Sequence, residues 1–194
     1  VKWCYSLAVF FIAYTGVRFG ELAALTWECL NLDYNSVHIQ FAVRRGRDGE
    51  YVVQRPKDTA EGTNFKNRHI ILEPELVQKL REWKLRSPCS RNEDRVFPTF
   101  NGVFHKQSTA ILNFWYDACD KAGNERVHFR SLWHYFATIL FETYPKELDR
   151  IADQMGHTKL DTTRKIYKEY WDNKERDKEE AQNLGAVRAR LANQ

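Results

Sequence analysis

Residues 3 to 14, WCYSLAVFFIAY, carry no charge and are apolar on every face. A helix of that pattern has no side to show to water, so it must lie at the centre of whatever fold surrounds it. The run is too short to span a membrane and lacks the flanks of a signal peptide. Directly after it comes TGVRFGELAALTW, with Arg18 just past Gly16 and Glu21 one helical turn later. An arginine at such a junction is either half of a buried ion pair or an anion-binding group held rigid by the core.

With 194 residues the chain fits one domain, or at most two small ones. A hydrophobic content of 43% and an aromatic content of 14% describe a globular protein rather than a disordered one. The formal charge of +4 permits nucleic-acid binding without demanding it. Cys4, Cys29, Cys89 and Cys119 are widely spaced and form no CxxC or Cys/His metal pattern, which fits reduced thiols in an intracellular protein. The chain starts at Val1, without an initiator methionine, and reads as a fragment of a longer protein.

After the first helix, Thr15-Gly16 is a break, and the spacing predicts an amphipathic helix from Arg18 to Glu28 with Leu22, Leu25 and Cys29 on one face. SVHIQFAV, GEYVVQ and NRHIIL alternate or are β-branched and read as three strands. They predict one small three-stranded antiparallel sheet between residues 37 and 72. The rest is helical: EPELVQKLREWKLR with Pro74 in its first turn, KQSTAILNFWYDACDKAG ending on Gly123, SLWHYFATILFETY, KELDRIADQMG ending on Gly156, and LDTTRKIYKEYW. The expected class is therefore mainly α with a small antiparallel sheet, residues 1–172 forming one domain. The charged tail, 173–194, has a thin apolar stripe of Leu184, Val187 and Leu191, too narrow for a core and suited to docking on another surface.

The polar residues of interest stand at element boundaries: Arg18, Lys57, Arg130, His134, His157 and Tyr167. Each taken alone has a bland explanation: an interface tyrosine, a capping histidine, a solvated lysine. Taken in order, YTGVRFGELAALTW, RPKDTAEGTNFKNRHIIL, LWHYFATIL and QMGHTKLDTTRKIY resemble the catalytic domain of the tyrosine recombinases, the phage-integrase family. The resemblance runs from about Val1 to Trp171, and its most specific pieces are TGxRxGEL and GHTxxxTTxxxY.

That resemblance implies a recombinase catalytic fold, double-stranded DNA as partner, assembly of several protomers on it (a tetramer in the full-length synaptic complex), and a cytoplasmic, DNA-associated protein with no cofactor and no metal. It implies roles as well. Tyr167 is the nucleophile that attacks a phosphodiester, leaving a 3′-phosphotyrosyl bond and a free 5′-hydroxyl. Arg18 clamps the scissile phosphate, with Glu21 as its acidic buttress. Lys57 protonates the leaving 5′-oxygen, with Lys66 on the same loop as its rival. His157 hydrogen-bonds the phosphate. Arginine suits the clamp because its planar fork matches phosphate and keeps its charge.

One segment departs from the family. The usual HxxRHTFAT aligns with Arg130 to Thr138, placing Arg130 at the histidine and Trp133 at the second arginine. Tryptophan offers one N–H and no charge. Either Arg130 swings in to supply the missing cation, or His128 and Arg130 act as a shortened motif, or cleavage is crippled and the chain is a DNA-binding relative of the same fold. His134 is expected to pack structurally. A reading with no such resemblance, a helical interaction domain with a solvated basic face, predicts no clustering of Arg18, Lys57, His157 and Tyr167.

Overall fold

In the computed structural model, which describes residues 2–55, 67–157 and 160–192, the apolar run forms α1 (Lys2–Thr15) at the centre of the main core. Leu7, Ala8, Phe11 and Ile12 are buried there, and full burial of side chains such as Phe11 and Ile12 contributes about 1.5–3 kcal/mol each. α1 stops because Gly16 turns into the left-handed region, φ 60°. A Cβ at Gly16 would lie 2.2 Å from Cδ1 of Phe136, so glycine lets a later helix close over this junction.

The next helix is shorter than its periodicity predicts. α2 spans Phe19–Ala24, and Leu25 and Thr26 are extended before a 3₁₀ turn at Trp27–Cys29. The reason is tertiary: Thr26 forms an antiparallel bridge with Arg95, and the Val96 amide donates to Leu25 O at 3.0 Å. Trp27 is buried and its Nε1 donates to Cys89 O at 2.8 Å.

The strands are antiparallel, as expected, but they pair differently. SVHIQFAV divides at Gln40 and Phe41 into β2 (Ser36–Ile39) and β3 (Ala42–Arg45). β2 lies between the short β1 (Leu30–Asn31) and β5 (Arg68–Ile71), with Val37 opposite Ile70 and Ile39 opposite Arg68. β3 pairs with β4 (Tyr51–Gln54) as a separate ladder. The division follows from two cores. Val37 and Ile39 face the main one, whereas Val43 joins Ala23 and Ala24 of α2, with Phe41, Tyr51 and Val53 around them.

α3 (Pro74–Arg86) and α4 (Thr109–Lys121) flank α1, burying Leu76, Val77, Leu80 and Trp83 from the first and Ile111 from the second. α5 (Phe129–Thr143), α6 (Leu148–Met155) and α7 (Leu160–Ala192) share a second cluster around Phe136, Leu140, Phe141, Ile151 and Met155. α7 passes through residues 172 and 173 without a break, and its side chains from Asp172 to Leu184 are exposed. Among the described residues no helix is long and apolar enough to cross a membrane.

Candidate functional site

Arg18 is the N-cap of α2, in extended conformation, and its backbone amide donates to Glu21 Oε2 at 2.9 Å. The side chain bends back so that Nη1 reaches Glu21 Oε1 at 3.2 Å and Nη2 approaches the Gly156 carbonyl at 3.5 Å. The Arg18 side chain nevertheless stays 36% exposed, whereas that of Glu21 is 1% exposed. Arg18 is thus braced from behind and open in front, combining the two alternatives its position in the sequence posed.

The buried carboxylate has a stronger partner. Arg68, on β5, forms a fork on Glu21, with Nη2 to Oε2 at 2.8 Å and Nη1 to Oε1 at 3.2 Å. Burial on its own would push the Glu21 carboxyl up, but the charge and hydrogen bonds of Arg68, helped by Arg18, hold it below the usual carboxylate range. Arg68 Nε donates to Gln154 O at 3.0 Å, in the last turn of α6, where carbonyls favour a cation.

α6 ends at Gly156, φ 66°, which presents His157. The ring is buried, and its Nδ1 is 2.7 Å from Thr163 Oγ1 in the second turn of α7. Burial, then the charges of Arg18 and Arg68, lower the His157 pKa to about 4, so the imidazole is neutral at pH 7. In the tautomer where Thr163 donates, Nε2–H remains as a donor for an anion.

Trp133 completes this wall, its ring centroid 5.5 Å from that of His157 at an interplanar angle of 52°. α5 starts with His128 as N-cap, its Nδ1 accepting from the Arg130 amide at 3.2 Å. Arg18, His128, Arg130, Trp133 and His157 line one cleft of about 410 Å³, together with Phe19, Phe129, Ser108 and Thr162. The first turn of α5 opens on it, adding one positive helix end to the two arginines that line it. No carboxylate lies among the described lining residues. A cleft of that composition is fit to hold an anion.

Of the residues expected from the sequence, the structure therefore brings Arg18, Arg130, Trp133 and His157 to one cleft and puts Glu21 behind it. Tyr167 is not among the lining residues. It sits on α7 edge-on to Phe141, centroids 5.3 Å apart at 86°, and its hydroxyl donates to the Pro145 carbonyl. Lys57 and its rival Lys66 lie outside the described residues. His134 is exposed and packs edge-on against Trp133 at 5.1 Å. Arg68 and the partnership of Thr163 with His157 went unforeseen. Arg68 had a signal: it lies in phase with the buried Ile70 and Leu72, and an arginine on a core face needs a buried carboxylate.

Helical layers around two small antiparallel sheets, with an arginine-bearing cleft that no carboxylate lines among the described residues, define a domain built to hold an anion against a rigid core. The chain belongs to the phage integrase family, whose model matches residues 2–174. It is similar to the Tn1549 transposon integrase in complex with transposon right end DNA, with TM-score 0.64 and 17% identity over 83% of this chain and 53% of that one. It is similar to XerA recombinase, with TM-score 0.62 and 24% identity over 85% of this chain and 51% of that one. A third likeness is to XerH site-specific recombinase bound to palindromic difH substrate, with TM-score 0.62 and 22% identity over 91% of this chain and 44% of that one. The chain thus spans about half the length of these structures. No curated protein matches it.

Proposed function

We propose that the chain is the catalytic domain of a site-specific DNA recombinase that cleaves and rejoins DNA through Tyr167. The observation that carries the reading is the cleft itself: Arg18, Arg130 and His157 around one space that no carboxylate lines among the described residues, within a family of integrases. A scissile phosphate in that cleft meets two guanidinium groups and the His157 imidazole. These groups stabilise the charge that builds on its nonbridging oxygens in the transition state.

The Tyr167 phenolate oxygen bonds to phosphorus as the bond to the 5′-oxygen breaks, and Lys57 gives that oxygen its proton. The energy of the phosphodiester is kept in the 3′-phosphotyrosyl link, and attack by a new 5′-hydroxyl reverses the step. Before it reacts, Tyr167 leaves its hydrogen bond to Pro145 O and gives its hydroxyl proton to solvent. In place of the family's second arginine, Arg130 supplies the second cation from the first turn of α5.

In the whole protein the partner is double-stranded DNA, and several protomers, four in the synaptic complex, assemble on it in the cytoplasm. Residues 173–194 dock on a neighbouring protomer. The exposed stretch of α7 from Asp172 to Leu184 supports that reading.

A nicked suicide substrate, which lets the 5′-product diffuse away, tests the activity. A covalent protein–DNA adduct is expected with the parent chain and none with Tyr167→Phe. DNA binding without any adduct from the parent would overturn the strand-transfer reading and leave a DNA-binding module.

A further inference from the structure

Arg68 is itself out of a substrate's reach. Its side chain is 2% exposed, at the end of β5 beneath the cleft. Yet it joins the two elements that hold Arg18 and His157, α2 and the end of α6. Its fork occupies both oxygens of Glu21 on α2, and its Nε holds the last turn of α6 through Gln154 O. Its guanidinium lies so close under Gly156 that a Cβ there would come within 2.6 Å of Nη1. Gly156 in turn presents His157, and its carbonyl faces Arg18 Nη2.

The charge count explains what such an arrangement does. Glu21 carries one negative charge next to Arg18. Were Arg18 its only partner, the pair would be neutral and the cleft would lose its fixed cation. With Arg68 taking the Glu21 charge, the three groups keep a net positive charge, and the exposed part of it is Arg18. A buried carboxylate left with one partner would draw that partner inward, since an uncompensated buried charge is strongly destabilising.

We propose that Arg68 is a positioning residue for the phosphate site: it neutralises Glu21 so that the charge of Arg18 stays available to DNA, and it fixes the α6 terminus that carries His157. The inference rests on the anion-site reading above and adds a residue to it.

The test measures binding of the chain to a fluorescent DNA duplex across a salt series, in a Tyr167→Phe background so that chemistry plays no part. Melting temperature is followed for each variant. Arg68→Met leaves Glu21 charged, and Arg18 turns inward to it. Affinity is expected to fall about tenfold, with the slope of log Kd against log salt shallower by about 0.9, one phosphate contact. Arg68→Lys keeps the charge and the parent slope. The pair Glu21→Gln with Arg68→Met removes both buried charges and regains the parent slope, a recovery that a merely structural role does not predict.

A folded Arg68→Met that binds like the parent overturns the proposal, as does a double variant as weak as Arg68→Met. If Arg68→Met does not fold, Arg68→Lys and the double variant decide, and loss of the parent slope by either one sinks it. Arg18→Met separates the two readings. If it leaves the slope unchanged, the anion site itself fails and this inference with it. If it flattens the slope while Arg68→Met does not, only the role of Arg68 is wrong.

Discussion

Trp133 stands 5.5 Å from the ring centroid of His157, and the buried imidazole also feels the charges of Arg18 and Arg68. This fixes its protonation state. With its pKa lowered to about 4 by burial and by the two arginines, the folded protein keeps the ring neutral. An unfolded chain takes up that proton near the ordinary histidine value of about 6.5.

The sign of the pH dependence follows. Between about pH 6.5 and 4 the unfolded state binds more protons at this position, so stability falls as the solution is acidified, by up to about 1.4 kcal/mol per pH unit. The contribution is fully present above 6.5. Urea titrations of the parent and of His157→Gln across this range check it, and the variant should show the flatter profile. Equal slopes in the two proteins would mean that His157 titrates normally.

Gly156 is expected to tolerate no side chain. Alanine there faces a left-handed φ of 66° and a contact 2.6 Å from Arg68 Nη1. The strained backbone alone costs about 1–2 kcal/mol, and the Arg68 fork must shift as well. Gly156→Ala should therefore lower stability in urea and weaken DNA binding together. Unchanged binding in a destabilised but folded variant would show that the Arg68 geometry is not needed at the cleft.

Two tyrosines on α7 are available as nucleophiles by type, and their partners distinguish them. Tyr167 bonds to a backbone carbonyl, Pro145 O, which a small movement of α7 releases. Tyr170 bonds to the Glu142 carboxylate, which also holds Lys174. That hydrogen bond to Glu142 raises the Tyr170 pKa, the wrong direction for a nucleophile. Tyr170→Phe is expected to form the suicide-substrate adduct within a few-fold of the parent rate, and Tyr167→Phe to form none. Adduct that survives in Tyr167→Phe and vanishes in Tyr170→Phe would reassign the nucleophile.

Much of this molecule was readable from its sequence where the signal is local. The apolar run before Gly16 can only be a central helix, and the spacing in TGxRxGEL puts Glu21 one helical turn after Arg18. Non-local partners were not readable. α2 ends at Ala24, with no glycine or proline to mark the stop, because Thr26 is drawn into a bridge with Arg95. SVHIQFAV divides because its halves serve different cores. Arg68 was half legible: alternation put it on the buried face, but only the fold reveals that Glu21 waits there.

The resemblance aligns Trp133 with the family's second arginine. Trp133 stands beside His157, and Arg130, three residues earlier, lines the same cleft from the first turn of α5. If Arg130 is the substitute cation, Arg130→Met should slow adduct formation by at least about 10³-fold, the usual cost of losing a cationic contact in phosphoryl transfer. Adding Trp133→Arg to that variant returns a guanidinium from the neighbouring turn and should recover a large part of the rate. Trp133→Arg alone should gain little, because the charge it adds is already present. Single-turnover trapping of the four proteins separates these outcomes. A parent-like rate in Arg130→Met would show that Arg130 only borders the cleft, and a double variant no faster than Arg130→Met would show that position 133 does not face the phosphate.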